Sequence, residues 1–264
     1  MTKLSKEKAE KKIKALREKI REHEYKYFVL DDPSISDAEF DKLMQKLIKL
    51  EEEFPELITE DSPTQRVGGE VLDEFEKVEH SSTMLSLDNA FDADELRDFD
   101  KRVQKNLNSE DYQYVVEHKI DGLSAVMRYR NGSFELGATR GNGEVGEDIT
   151  RNMKTIRSLP LKIEEKEDLE LRGEIYLPKS EFKRLNEKRL ENDESPFANP
   201  RNAAAGSVRQ LDSKIAAERS LSILIYDLIS HSDREFETHL EVFSYLREQG
   251  FKVNWHKSAA DIEA

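Results

Sequence analysis

Lys119 stands two places before an Asp-Gly pair at the end of the run "VVEHKIDG". A lysine so placed is either a solvated surface residue or an amine positioned to react. An ε-amine attacks an electrophile only when deprotonated, a state favoured by partial burial or by a second cation, and Arg140 is the candidate for that cation. Alternation along Tyr112 to Lys119 puts Tyr112, Tyr114, Val116 and His118 on one face and Gln113, Val115, Glu117 and Lys119 on the other. Glu117 and Lys119 are therefore neighbours. A Lys-x-Asp-Gly tetrapeptide alone does not decide between the two readings.

Three further constellations carry similar double meanings. "TRGNGEVGEDIT", Thr139 to Thr150, sets three glycines beside Arg140. Backbone without side chains approaches a ligand closely and an arginine forks onto phosphate or ribose oxygens, but a flexible hairpin loop has the same composition. In "LELRGEIYLP", Glu170, Arg172 and Glu174 share a strand face. A carboxylate ending that strand can accept from ribose hydroxyls or bind hydrated Mg2+, and the face can equally be solvated with an internal Arg-Glu pair. Near the N-terminus Asp37 and Asp41 lie one helical turn apart, after Tyr27 and Phe28. Such a set can cradle a flat cationic ring by stacking and charge, or consist of capping acids and core aromatics.

These residues need elements to hold them. Leu4, Ile13, Leu16, Ile20 and Tyr27 recur at near-helical intervals, which predicts a helix over 3–30, broken by "DDPS". Ser36-Asp37-Ala38-Glu39 has the form of a capping box opening a second helix to about Glu53, with Phe40, Leu43, Met44, Leu47 and Leu50 as its apolar stripe. "FPELITEDSPTQRVGG" reads as a connector, so the chain divides near Gly68-Gly69 into a helical module, 1–68, and a larger domain, 69–264. The larger part reads as a helix over 94–107, strands at 112–119, "LSAVMRYR" and "SFELGATR" with an Asn131-Gly132 hairpin turn, and a strand at "DLELRGEIYLP". A helix over 179–190, the positively charged segment "NPRNAAAGSVRQ", a buried strand at "SLSILIYDLI" and a helix over 238–249 follow. Hairpins with interspersed helices predict an α+β fold with Lys119 at the mouth of an antiparallel sheet.

Composition excludes whole classes of function. There is no cysteine, hence no disulfide, thiolate metal site or cysteine nucleophile in this chain. The formal charge of −14 argues against a chain that coats nucleic acid through general attraction, though not against a local basic groove. No apolar stretch approaches the ~20 residues that span a bilayer, which with the polar N-terminus predicts a soluble cytoplasmic protein. No heptad run or spare apolar helix face calls for a partner, so a monomer is expected.

The order "HEYKYFVLDDPSISDAEFD", "MLSLDNAF", "EHKIDG", "TRGNGEVGEDIT", "LRGEIYLP", "NPRNAAAGSVRQLD" closely resembles the N-terminal part of the bacterial NAD+-dependent DNA ligases, along essentially the whole chain. Lys-x-Asp-Gly alone fits any covalent nucleotidyltransferase, including ATP-dependent ligases and capping enzymes; "DDPSISDAEFD" and "NPRNAAAGS" point to the NAD+ class.

The resemblance implies a small N-terminal helical hairpin module that binds nicotinamide mononucleotide (NMN), followed by an adenylation, or nucleotidyltransferase, domain built on antiparallel sheets with flanking helices. It implies that Lys119 attacks the adenylyl phosphorus of NAD+, giving lysyl-AMP and releasing NMN, with Asp121 organising the lysine and metal environment. Glu117 would hold the adenosine, Arg140 the ribose and phosphate, Glu174 the ribose, and Ser86 and Leu87 the nucleotide from an adjoining segment. Tyr27, Asp37 and Asp41 would grip the NMN half, and Arg201 and Arg209 would meet DNA phosphates. AMP would then pass to the 5′-phosphate of nicked double-stranded DNA, with Mg2+ stabilising charge on the phosphoryl oxygens. No residue of this chain is expected to be a metal ligand of its own. Phe28 and Phe40 stand where the family often has tyrosine or histidine and tyrosine, Thr83 where it has proline, and His118 where it has an aliphatic residue. Family members continue into a further sheet segment with two more lysines, an oligonucleotide-binding barrel, a cysteine zinc module and later domains, so the chain is expected to be a C-terminally truncated fragment that does not join DNA alone. The alternative is a fragment that binds NAD+ or AMP without transferring it.

Overall fold

The computed structural model describes residues 5–30, 32–66, 74–109 and 111–264. The boundary expected near Gly68-Gly69 lies outside the described residues, and so does the side chain of Asp37.

Helix α1 (Lys6–Glu24) buries Ala9, Ile13 and Ile20, the face its periodicity selects. It does not run as α-helix to residue 30. Tyr25–Val29 form a π-helical turn, closed by the Leu30 N–H donating to the Tyr25 carbonyl, which shifts Tyr27 and Phe28 off the register of α1. Helix α2 (Asp37–Glu53) opens on the expected capping box, in which the Glu39 carboxylate accepts from both the Ser36 N–H and the Ser36 hydroxyl. Ile13, Ile20 and Leu47 form the core of the hairpin, with Phe40, Leu43, Met44 and Leu50 packed on it. Buried Arg17 donates to Glu51 and to the Leu57 carbonyl, fastening the connector beneath the helices.

The larger part is built on a four-stranded antiparallel sheet. In chain order the strands are β1 (Lys77–Glu79), β2 (Tyr114–Glu117), β3 (Leu123–Arg130), β4 (Ser133–Thr139), β5 (Val145–Glu147), β6 (Leu169–Tyr176), β7 (Ser222–His231) and β8 (His256–Ala259). The central sheet has the order β4-β3-β6-β7, while β1-β5 and β2-β8 form separate antiparallel pairs. Helices α3 (Ala93–Leu107), α4 (Thr150–Lys154), α5 (Lys179–Glu191), α6 (Pro200–Val208), α7 (Ser213–Ala217) and α8 (His239–Glu248) flank them. Met127, Tyr129, Met153, Leu171, Phe243 and Phe251 are among the side chains closed off in the main core. No helix among the described residues is long and apolar enough to cross a membrane.

The antiparallel sheet that Lys119 follows is the β2-β8 pair, not the central sheet. Both edges of β3 are taken, by β4 and by β6, so β2 pairs instead with β8, and 118–122 bridge the two sheets. β2 itself is confined to Tyr114–Glu117, which leaves Lys119 beyond the strand. On β6 the charged side chains pair across strands and not internally, Arg128 with Glu170 at 2.8 Å and Arg172 with Asp227 at 4.0 Å. "NPRNAAAGSV" is a helix, capped by the Asn199 side chain on the Asn202 N–H with Pro200 at its first position.

Candidate active site

The segment after β2 is pinned at Gly122. A Cβ there would lie 3.0 Å from the Ile175 carbonyl carbon and closer still to its oxygen, so only glycine lets this backbone lie against β6. Gly122 thus serves a close approach, with no positive φ at this position. From β6, Glu174 receives the Gly122 N–H at 3.1 Å on one carboxylate oxygen and the Ser124 hydroxyl at 2.6 Å on the other. Burial raises the Glu174 pKa, and those two hydrogen bonds together with the charges of Lys119 and Arg201 oppose the rise.

Glu117 is held from two other elements. Its Oε1 lies 3.0 Å from His239 Nε2 at the start of α8, and its Oε2 accepts from Asn254 Nδ2 at 3.1 Å. The hydrogen bond with Glu117 raises the His239 pKa, against the opposing effect of burial. Arg140, just past β4, donates its backbone N–H to the Ser124 carbonyl and its guanidinium to Ser86 at 3.3 Å.

Two cavities meet at Lys119. One, about 650 Å3, has Ser86, Leu87, Glu117, Tyr226 and His239 in its wall. The other, about 510 Å3, has Lys77, Asn142, Glu147, Arg201 and Arg209. Lys119, Ser124, Arg140 and Glu174 belong to both. The first offers acceptors and an aromatic ring, the second a group of cations. Lys119 itself is exposed, where partial burial was one expected route to a free amine. Asp121 is exposed and pairs with Arg201 at 3.0 Å, and Arg209 pairs with Glu147 at 2.8 Å.

Tyr27 and Asp41 lie elsewhere, in a cavity of about 200 Å3 with Phe28, Phe40 and Arg157. The Arg157 guanidinium stands 5.8 Å from the Phe28 ring centroid and 6.0 Å from that of Phe40. Sequence reasoning missed Arg157, Tyr226, His239 and Asn254. Tyr226 had a signal, a polar tip in an otherwise apolar strand; the others reach their places only through tertiary contacts.

Residues 72–264 match the family model of the NAD-dependent DNA ligase adenylation domain, and residues 6–68 that of the DNA ligase-like, N-terminal NAD+-binding domain. The DNA ligase of Halothermothrix orenii is 57% identical over 97% of this chain, and those of Bacillus subtilis and Thermoanaerobacter sp. are each 54% identical, over 98% and 96% of it. The chain spans 38%, 39% and 38% of these three relatives. With a match covering most of its length, the chain belongs to the NAD-dependent DNA ligase adenylation-domain family.

Proposed function

We propose that this chain is the NAD+-consuming, self-adenylating portion of a DNA ligase, with Lys119 as nucleophile. The observation that carries the reading is the position of Lys119 where an acceptor-lined cavity meets a cation-lined one. A nucleotide laid across the junction has its adenosine beside Glu117 and Tyr226, its ribose hydroxyls toward Glu174, and its α-phosphate between Lys119 and Arg140. Ser86 and Leu87 close the adenosine side. The Lys119 Nζ forms a bond to the adenylyl phosphorus while the pyrophosphate P–O bond breaks. NMN leaves with the electron pair, and the amine proton passes to solvent.

The cavity of Tyr27, Phe28, Phe40 and Asp41 suits the nicotinamide ring by its aromatic faces, with the Asp41 carboxylate set against the Arg157 guanidinium that shares the cavity. In this reading 1–68 grips NMN, Asp37 included, and 69–264 carries out the transfer. Arg201 and Arg209 exchange Asp121 and Glu147 for phosphates of nicked DNA in the whole enzyme, each pairing being exposed enough to break at little cost.

A resident Mg2+ does not fit the donors. Among the described residues no three His, Cys, Asp or Glu side chains converge as a cation site, Asp121 being held by Arg201 and Glu174 by Ser124 and Gly122. Mg2+ would be held chiefly by the pyrophosphate oxygens, whose charge it would stabilise.

Intact-mass spectrometry after incubation with NAD+ and Mg2+ tests the reading. An adenylyl mass on the wild-type chain, absent from Lys119→Ala, is the expected result. Bound NAD+ without an adduct would make the chain a binding module instead.

A further inference from the structure

Glu117 is held by two donors. His239 arrives from α8 and Asn254 from the segment leading into β8, each on a different carboxylate oxygen. The Asn254 amide has its orientation fixed, because its Nδ2 donates both to Glu117 and, at 2.7 Å, to the His118 carbonyl, and the residue is only 3% exposed. The imidazole of His239 is held by the Phe243 ring, 4.3 Å between centroids. A carboxylate has about four acceptor sites, so two remain after these bonds. Glu117, His239 and Asn254 all face the cavity assigned above to adenosine. An ionised carboxylate can only accept, and the Watson–Crick edge of adenine offers one donor, its 6-amino group.

We propose that His239 and Asn254 are positioning residues that aim Glu117 at the 6-amino group of adenine. The inference rests on the adenosine site of the proposed function. Without His239 the Glu117 side chain keeps one tether and can turn its free lone pairs away from the base. Shape and stacking in the cavity remain, supplied by Tyr226 and Leu224.

Calorimetric titration of the whole chain with AMP and with purine riboside 5′-monophosphate, which lacks the amino group, tests this. Wild type is expected to favour AMP. His239→Phe, which keeps a ring but no donor, should weaken AMP by about tenfold and leave the purine riboside ligand within about twofold, the scale of one hydrogen bond to a charged group. His239→Gln, which keeps a donor, should restore the preference and shows that the site is folded. Equal weakening of both ligands in His239→Phe, or no weakening, overturns the positioning role. Equal affinity of wild type for both ligands overturns it while leaving the adenosine site intact, whereas failure of wild type to bind either removes that site and the inference with it.

Discussion

Gly122→Ala is the most exacting perturbation of the lysine segment, because its cost can be worked from contacts. The added methyl group meets the Ile175 carbonyl, a backbone group near the end of an inner strand of the sheet that has no rotamer through which to retreat. The 118–122 segment must therefore lift off β6. Overpacking of this kind costs about 1–3 kcal/mol. Lifting also stretches the Gly122 N–H bond to the Glu174 carboxylate, 3.1 Å as it stands, and a bond to a charged group contributes about 1.5–3 kcal/mol. The two costs overlap, since one movement relieves the first by breaking the second, so a total of about 2–4 kcal/mol is expected. For a domain of this size that lowers Tm by roughly 5–15 °C. Calorimetric scanning reads the shift, and titration with AMP reads the second consequence, a weakened nucleotide site once Glu174 loses its anchor. A Tm within about 2 °C of wild type, at the small end of the 1 kcal/mol scale, would refute the claim that this glycine is there for close approach.

Three further outcomes follow from the same contacts. Burial raises the Glu174 pKa, so the folded state holds that proton more tightly than the unfolded chain; ionisation then costs stability as pH rises from about 4.3 through the folded value. Denaturant midpoints at pH 4 and pH 7 should show wild type losing ground to Glu174→Gln over that span. His239 has a raised pKa through its bond with Glu117, so its contribution is fully present below about 6.5 and is lost as pH rises through the folded value. Relative to His239→Gln, wild type should lose less than about 1 kcal/mol between pH 6 and 8 in urea titrations, the side chains of this pair being 35% and 24% exposed. Arg66→Met should cost about 3–5 kcal/mol in guanidinium unfolding, because among the described residues it leaves the Glu24 carboxylate, 4% exposed, with Arg157 at 3.9 Å as its remaining ion pair.

What was legible in the sequence was local. The capping box at Ser36, the Asn131-Gly132 turn and the alternation of β3, β4 and β6 are set by residues close in the chain, and each forms where its pattern lies. Strand partners are not local. Nothing in "YVVE" says that β8, some 140 residues on, is its neighbour, so which antiparallel sheet Lys119 follows is not legible from the run itself. The same holds at the site. Glu117, Lys119, Arg140 and Glu174 stood out because charge in a strand or beside glycines is conspicuous, whereas His239 and Asn254 carry no pattern and become visible only where α8 and the β8 lead-in converge on one carboxylate.

Long-range contacts also bear on how, in the proposed reading, two separate cavities can serve one dinucleotide. Arg66, 7% exposed, donates to Glu24 at the end of α1 and to the carbonyls of Lys154, Ile156 and Leu159 after α4. The helical module and the core of the larger part are thereby joined through one buried guanidinium. Arg157 itself projects from this segment toward Phe28 and Phe40, so the wall of the aromatic cavity is supplied partly by the larger domain. A cage completed across the junction cannot keep its shape if the module swings away. In the proposed reading the grip on the nicotinamide half is therefore coupled to the docking of the module, to which the buried Arg66–Glu24 pair, costly to leave half-made, contributes beside Lys162–Asp61 and the bond from Lys252 to the Phe28 carbonyl.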